Sequence, residues 1–132
     1  MTWTYNGTAF EAPETEIGFV YLITNLTNGR KYIGKKNFWF AKTKQVKGKK
    51  KRFKIESDWR DYWSSSDELK ADVELLGEHN FKREILHLCY NKGSMNYLEA
   101  KLQMIHEVLE SDQWYNSYIM CRINKSHVKL KT

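Results

Sequence analysis

Apolar residues gather along the chain in short blocks, and their spacing alternates between the period of a strand and that of a helix. "GFVYLIT" (18–24) and "RKYIGKK" (30–36) are rich in β-branched and aromatic residues, and "NLTNG" between them carries the Asn and Gly residues that make positive φ cheap. These two runs predict a β-hairpin. Alternation places residues 19, 21 and 23 on one face and 20, 22 and 24 on the other, so Tyr21 shares a face with Phe19 and Ile23. "FKREILHLCY" is apolar at 81, 85, 86, 88 and 89 and reads as a third strand.

Helical spacing appears in two places. "ESDWRDYWSSSDELKADVELLG" (56–77) reads as two pieces, the second starting at Ser66 with Asp67 and Glu68 in its first turn. Leu69, Val73 and Leu76 form its apolar face, and Gly77 ends it. "MNYLEAKLQMIHEVLES" (95–111) is the clearest helix, with Met95, Leu98, Leu102, Ile105 and Leu109 on one face. The order hairpin, helix, helix, strand, helix predicts an α/β (α+β) fold: a small three-stranded, mostly antiparallel sheet flanked by helices.

No internal repeat or low-complexity linker interrupts this pattern, and 132 residues suit one domain with one core. Residues 1–17 are polar, contain the single proline, Pro13, and read as an N-terminal extension that packs through Trp3, Tyr5 and Phe10. Residues 118–132 read as a basic C-terminal tail. No run of 18 apolar residues predicts a membrane span, and the N-terminus lacks the basic start and apolar centre of a secretory signal. Cys89 and Cys121 lie in apolar surroundings without metal-site spacing and read as buried free thiols. Together these features predict a cytoplasmic protein without a membrane span.

Charge adds a partner class. The net charge is +6 and the sequence pI about 9.2, which favours a polyanion, either nucleic acid or an acidic membrane surface. Between residues 42 and 54, eight of thirteen positions are basic and none is acidic: Lys42, Lys44, Lys47, Lys49, Lys50, Lys51, Arg52 and Lys54. This segment reads either as a solvated loop or as an arm that tracks phosphates and gains affinity by releasing counterions. Phe53 and "FWF" (38–40) beside it suit stacking on bases or anchoring of the loop's base.

Chemistry is sparse. His79, His87, His106 and His127 are too scattered for zinc, and no P-loop, dinucleotide fingerprint or Ser/His/Asp arrangement is present. Glu99 is the carboxylate placed on an apolar helix, where it heads a polar stripe through Gln103, His106 and Glu107; a Glu on an amphipathic helix is ordinarily solvent-exposed. A hard cation on one carboxylate is then the best available chemistry, because Mg²⁺ is satisfied by few protein ligands plus water and phosphate. A Tyr phenol, with an ordinary pKa near 10, is a poor base unless cations lower it. Lys31, Lys35 and Lys36 lie on the second run of the hairpin.

At this point the chain resembles the GIY-YIG nucleases. "FVY" (19–21) and "YIG" (32–34) match the family's two tripeptides on adjacent strands, with Tyr21 and Tyr32 eleven positions apart. "YWSSSDELKADVELLGEHNFKREIL" is similar to the helix-then-strand section of phage-type (Seg-like) homing endonucleases, "NYLEAKLQMIHEVLE" to the helix that carries the metal-binding Glu, and "YN" at 115–116 to its trailing Asn. The likeness covers about residues 18–117, with residues 42–54 as a basic insertion.

The resemblance implies a divalent-metal-dependent (Mg²⁺ or Mn²⁺) DNA endonuclease, in the host cytoplasm if phage-encoded, whose partners are DNA, no membrane and, for a double-strand cut, a second copy in a homodimer. Tyr21 becomes the general base or its helper, Tyr32 the residue that positions water or phosphate, Glu99 the metal ligand and Asn116 the residue that fixes the site. The chain departs from the family in two respects. Phe19 stands where the first tripeptide has Gly. The family's phosphate-binding helix Arg, about ten residues after the second Tyr, falls at Lys42. Arg60 is the first choice to replace that Arg, Arg52 competes with it, and Lys36 shares the duty as a point charge. The alternative function is a catalytically inactive nucleic-acid-binding protein of the same fold.

Overall fold

Two apolar runs joined by an Asn/Gly turn form the expected hairpin. β3 (Gly18–Asn25) runs antiparallel to β4 (Lys31–Asn37), with Tyr21 opposite Gly34 and Ile23 opposite Tyr32. The turn is held by Asn25, whose side-chain oxygen accepts from the Thr27 N–H and whose carbonyl accepts from the Gly29 N–H. In the computed structural model, which describes residues 2–120 and 122–128, the expected third strand is β7 (Phe81–Cys89), antiparallel to β3 on its other side.

The sheet is larger than the three strands expected. β1 (Thr4–Tyr5) and β2 (Thr8–Ala9) extend it to five strands among the described residues, in the order β2-β1-β7-β3-β4, and the β1–β7 pairing is parallel. Two-residue strands are too short to leave a period in the sequence, which is why the segment before residue 18 looked like an extension. Trp3 shows how firmly that segment is attached. It is 1% exposed, donates its indole N–H to the Trp59 carbonyl at 2.8 Å, and meets Phe19 and Tyr21 edge-on.

Both faces of the sheet are covered. On one, Phe19, Tyr21, Ile23 and Ile85 pack with Trp3, Phe38, Trp59 and with Leu69 and Val73 of helix α1 (Asp67–Leu76). On the other, Val20, Ile33 and Cys89 pack with Met95, Leu98 and Leu102 of helix α2 (Lys92–Ile105). α1 follows a 3₁₀ turn at Trp59–Asp61, the two-piece arrangement expected. Ser66 caps it by accepting from the Leu69 N–H, and Gly77 closes it at φ 89°.

α2 differs from its expectation at both ends. It starts three residues earlier, where Asn91 caps it by accepting from the Ser94 N–H, and it stops at Ile105. Glu107 then turns the chain at φ 52°, so Val108 points into the core while Ile105 and Leu109 are 60% and 50% exposed. The expected apolar face thus fails at its C-terminal end: Ile105 and Leu109 turn to solvent, and Val108, outside that series, takes the core position.

The basic insertion is not a loop. β5 (Trp39–Val46) and β6 (Lys49–Glu56) pair antiparallel as a separate two-stranded ribbon. Lys47 (φ 50°) and Gly48 (φ 77°) make the left-handed two-residue turn that matches strand twist. Cys89 is a buried free thiol whose pKa burial pushes up to about 11. Cys121 and residues 129–132 of the tail lie outside the described residues. Among the described residues, no helix is long and apolar enough to cross a membrane.

Because Trp3 fills the core beneath the hairpin, Trp3→Ala is expected to cost about 3–5 kcal/mol. Urea unfolding followed by far-UV circular dichroism checks this, and a loss below about 1 kcal/mol contradicts the packing role assigned to the N-terminal strand pair.

Candidate active site at the edge of strand β4

β4 is the edge strand of the five-stranded sheet, so every second backbone unit along it faces away from β3 and needs another partner. The partners come one after another. Lys31 pairs with the backbone of the C-terminal segment, its N–H donating to Gln113 at 2.9 Å and its carbonyl accepting from the Tyr115 N–H at 2.8 Å. Ile33 pairs with a side chain: its N–H donates to Asn116 Oδ1 at 3.1 Å and its carbonyl accepts from Asn116 Nδ2 at 2.8 Å. Gln103 Nε2 also donates to that carbonyl, at 2.9 Å. Next along the strand, the Lys35 backbone N–H faces the Glu99 carboxylate.

Residues from the opposite face reach the same edge across Gly34. A Cβ built there would lie 2.5 Å from Tyr21 Oη, 2.7 Å from Tyr21 Cζ and 2.7 Å from Tyr32 Cε1. The bare glycine therefore lets the Tyr21 ring lie across β4 towards the rim. Tyr32 stands beside it, ring centroids 6.1 Å apart and planes at 27°, with its hydroxyl 3.1 Å from Ser65 Oγ. A register shift against β7 falls between Val20 and Tyr21, a local bend at the residue whose aim matters most.

The result is a cavity of about 130 Å³ lined by Tyr21, Tyr32, Lys35, Ser65, Glu99 and Gln103, with Tyr118 and Met120 at its side. Tyr32, Ser65 and Tyr118 also line an adjoining cavity of about 320 Å³ that runs over Asn116 and the start of α1. Tyr115 anchors that wall: its hydroxyl donates to Asp72 at 2.6 Å and accepts from Asn25 Nδ2 at 3.0 Å, under the Arg30 guanidinium.

Burial sets the electrostatics. It pushes the Tyr21 phenol well above its ordinary pKa, and Tyr32, Tyr62 and Glu99 add to the rise. Tyr32 is raised for the same first reason, with its hydrogen bond to Ser65 opposing. Both side chains are therefore neutral phenols at neutral pH, so the lysines of β4 do not lower them in this state. Burial also raises Glu99 above the usual carboxylate range, against the pull of the Lys35 ammonium at 3.9 Å and the Lys35 backbone N–H. Lys35 is held on its other side by Asn96.

Tyr21, Tyr32 and Glu99 line one cavity, and Asn116 stands at the rim through its double hydrogen bond to Ile33. Lys36 lies one step away. Its ammonium pairs with Asp58 at 2.6 Å and sits 4.1 Å above the Tyr62 ring, holding the Asp58 carboxyl below its ordinary range. Arg60 is not brought to this cavity. Its Nε donates to Glu56 at 2.9 Å, its Nη1 to the Glu11 carbonyl at 2.7 Å, and its guanidinium covers Trp59. Arg52 and the rest of the basic segment lie on the β5–β6 ribbon.

Four residues in or beside the cavity were given no site role from the sequence. Gln103 carried the clearest signal, since it follows Glu99 by one helical turn. Lys35 directly follows "YIG". Ser65 and Tyr62 gave none, because the irregular segment before α1 has no period from which to read a direction. Tyr62 meets Tyr21 edge-on at 6.1 Å, and Arg83 fixes its backbone by donating Nη1 to the Arg60 and Tyr62 carbonyls, each at 3.0 Å.

A family model now adds independent information: residues 3–119 match the family described as "Putative endonuclease segE, GIY-YIG domain". The chain belongs to this GIY-YIG family. The match begins at Trp3, so the GIY-YIG domain includes the N-terminal strands that complete the sheet. No curated protein and no solved structure matches the chain. Within the GIY-YIG domain the two tyrosines of the family signature are those that meet across Gly34.

Two outcomes follow from this geometry. Because the folded-state pKa of Glu99 is raised, its ionisation works against folding: the stability it contributes is fully present below the unfolded-state pKa of about 4.3 and is lost as pH rises through the folded value. Glu99→Gln is therefore expected to be more stable than wild type at pH 7, with the difference vanishing below about pH 4; urea midpoints from pH 4 to 8 check the sign. Gly34→Ala is expected to destabilise by about 1–3 kcal/mol through overpacking against Tyr21. In a Tyr21→Ala background the same change costs less, and equal costs in the two backgrounds contradict the close approach.

Proposed function

We propose that this protein is a divalent-metal-dependent DNA endonuclease that hydrolyses phosphodiester bonds at the rim of β4, with the phage-type homing role implied by the sequence resemblance. The observation that carries this reading is the convergence of Tyr21, Tyr32, Lys35 and Glu99 on one cavity in a chain of the GIY-YIG endonuclease family.

The donor set fits a hard cation. Among the described residues no group of three or more His, Cys, Asp and Glu side chains is assembled, which disfavours a closed protein cage. Mg²⁺ does not need one, since it keeps several waters and takes one or two protein oxygens plus substrate phosphate. Glu99 offers the carboxylate. Gln103, 4% exposed on the same cavity, has Oε1 without a hydrogen-bond partner because its amide nitrogen is committed to Ile33. Glu99 would hold the ion, with Gln103 the nearest neutral oxygen donor on the same helix. The ion, when bound, neutralises phosphate charge and favours ionisation of water.

The chain's own residues divide the remaining work. Lys35 supplies the positive charge inside the cavity, and Lys36 supplies it beside Tyr62; in our reading these two, not Arg60, meet the scissile phosphate. Tyr21 and Tyr32, as neutral phenols with hydroxyls at the rim, orient the attacking water and a non-bridging phosphate oxygen by hydrogen bonds. Tyr21, a neutral phenol hydrogen-bonded to Tyr62, acts as helper of the general base: it accepts a hydrogen bond from the attacking water, whose proton passes to solvent water and not to either phenol. Asn116 acts at one remove by fixing the backbone of β4 between the two tyrosines. Homodimerisation is the arrangement by which one such site per chain would cut both strands.

Incubation of supercoiled plasmid with the protein and Mg²⁺ or Mn²⁺ is expected to yield nicked and linear forms. Glu99→Ala and Tyr21→Phe are expected to lower the rate by at least about 100-fold, the scale of a lost acid–base or metal-binding group. If wild type leaves plasmid intact on several DNA substrates while still retarding it in a gel, the non-cleaving, DNA-binding alternative replaces this reading.

A further inference from the structure

The β5–β6 ribbon has no role in the cavity, yet it carries the densest charge in the protein. Register fixes what each of its faces presents. Thr43 stands opposite Arg52 and Gln45 opposite Lys50, which makes one contiguous polar quartet on one face. The other face pairs Lys44 with Lys51 and Val46 with Lys49, and places Phe40 opposite Ile55 and Lys42 opposite Phe53. All of these except the half-buried Val46 are exposed.

Three features identify the partner. Among the described residues, none of the eight cations of residues 42–54 pairs with a carboxylate, and two lysines face each other directly at 44 and 51, an arrangement that opposes strand pairing. The charge therefore calls for a polyanion. Secondly, it lies on both faces. A flat anionic surface would meet one face and leave the other repelling, whereas a groove offers base-edge acceptors on its floor and phosphates along its walls, so each face finds partners. Thirdly, the ribbon has the right dimensions. Two strands about 4.8 Å apart and about 26 Å long match the element that the major groove of B-form DNA, about 12 Å wide and 8.5 Å deep, admits.

We infer that the β5–β6 ribbon lies in the major groove of B-form DNA, with Thr43, Gln45, Lys50 and Arg52 turned to the base edges and the lysines of the other face reaching the phosphates. The assignment of faces follows from chemistry. Arg and Lys match the O6 and N7 acceptors of guanine, Gln matches adenine, and Thr contacts either base pair. A ribbon seated on the groove floor has its far face near the rim, where Lys44, Lys49 and Lys51 meet the phosphate walls. The ribbon is also tied to the active-site side of the domain. The Ser57 N–H donates to the Phe38 carbonyl at 2.8 Å, and Lys36 Nζ lies 5.2 Å from the centre of the Phe40 ring. This inference rests on the DNA-cleaving reading only for the identity of the polyanion; the groove and the reading face are new.

The test uses the full chain in chelator, with fluorescence anisotropy on four probes: a 30-base-pair DNA duplex, the same duplex with 7-deazapurines in place of purines, the matching RNA duplex, and phosphatidylserine vesicles. Removal of the N7 acceptors from the groove floor leaves backbone charge intact, and is expected to weaken wild-type binding about 10-fold or more. RNA is expected to bind at least as weakly as the 7-deazapurine duplex, because the A-form major groove is too narrow and deep for the ribbon. The triple variant Gln45→Ala, Lys50→Ala, Arg52→Ala is expected to bind both DNA duplexes equally with its salt dependence kept. Lys44→Ala, Lys49→Ala is expected to keep the discrimination while the slope of log affinity against log salt falls by about 2.

Equal wild-type affinity for normal and 7-deazapurine DNA overturns the inference and leaves the ribbon as a phosphate tracker. Tighter binding to RNA or to vesicles overturns it in favour of that partner. All five substituted side chains are solvent-exposed, and unchanged circular dichroism separates these outcomes from misfolding. Plasmid nicking, measured in parallel, separates this inference from the nuclease reading: groove discrimination without cleavage sinks only the latter, and cleavage without discrimination only the former.

Discussion

An edge strand must find partners for the backbone groups that no neighbouring strand takes. In this protein the outer edge of β4 is not capped by lysines or covered by a loop alone. It is satisfied in turn by the backbone around Tyr115, by the paired amide of Asn116, by Gln103 and by the carboxylate of Glu99. Residues 83 positions apart in sequence are placed to within a hydrogen bond by this single requirement. The site depends on β4 in a strict sense, since a change in register would move every one of these side chains relative to the tyrosines.

The tyrosines depend on it too, through a different property of the same strand. Tyr21 belongs to the face that packs on α1 and Glu99 to the helix that packs on the other face. They line one cavity because β4 is narrow at Gly34, where a phenol passes over backbone instead of side chain. Around them the aromatic core is rigid: Trp3, Phe19, Phe38 and Trp59 meet Tyr21 or one another mostly edge-on. Side chains packed this way have few alternative rotamers, which gives the rim a fixed geometry before any ligand arrives.

Much of this was legible in the sequence where a period or a local signal existed. The β3–β4 hairpin followed from its two apolar runs and Asn/Gly turn, and α1 from Ser66, its first-turn acids and Gly77. Tyr21, Tyr32, Glu99 and Asn116 came from the family signature and not from any pattern of charge or spacing. What escaped had no local signal. The strands at Thr4–Tyr5 and Thr8–Ala9 are stabilised by a distant partner, β7, and their own residues carry no alternation. The ribbon looked like a loop because its exposed faces lack the apolar–polar alternation that marks a half-buried strand. Arg60 was plausible by position, but Glu56, four residues earlier, engages it at the surface. Tyr62 had no signal at all, since it follows a short 3₁₀ turn, and Lys35 could not be told from Lys31 and Lys36 until the strand edge was seen.

The ribbon leaves the domain and returns to it within a few ångströms, because Phe38 and Ser57 close its base with a 2.8 Å hydrogen bond and Ser57 Oγ donates to the Asn37 carbonyl at 2.5 Å. Beyond that closure it contributes little to the core, so its length and surface are free of the packing rules that constrain the rest of the chain. On the reading proposed above, chemistry and address are written in separate parts of one polypeptide. On that reading, drift in residues 41–54 retargets the molecule while the rim of β4 stays as it is.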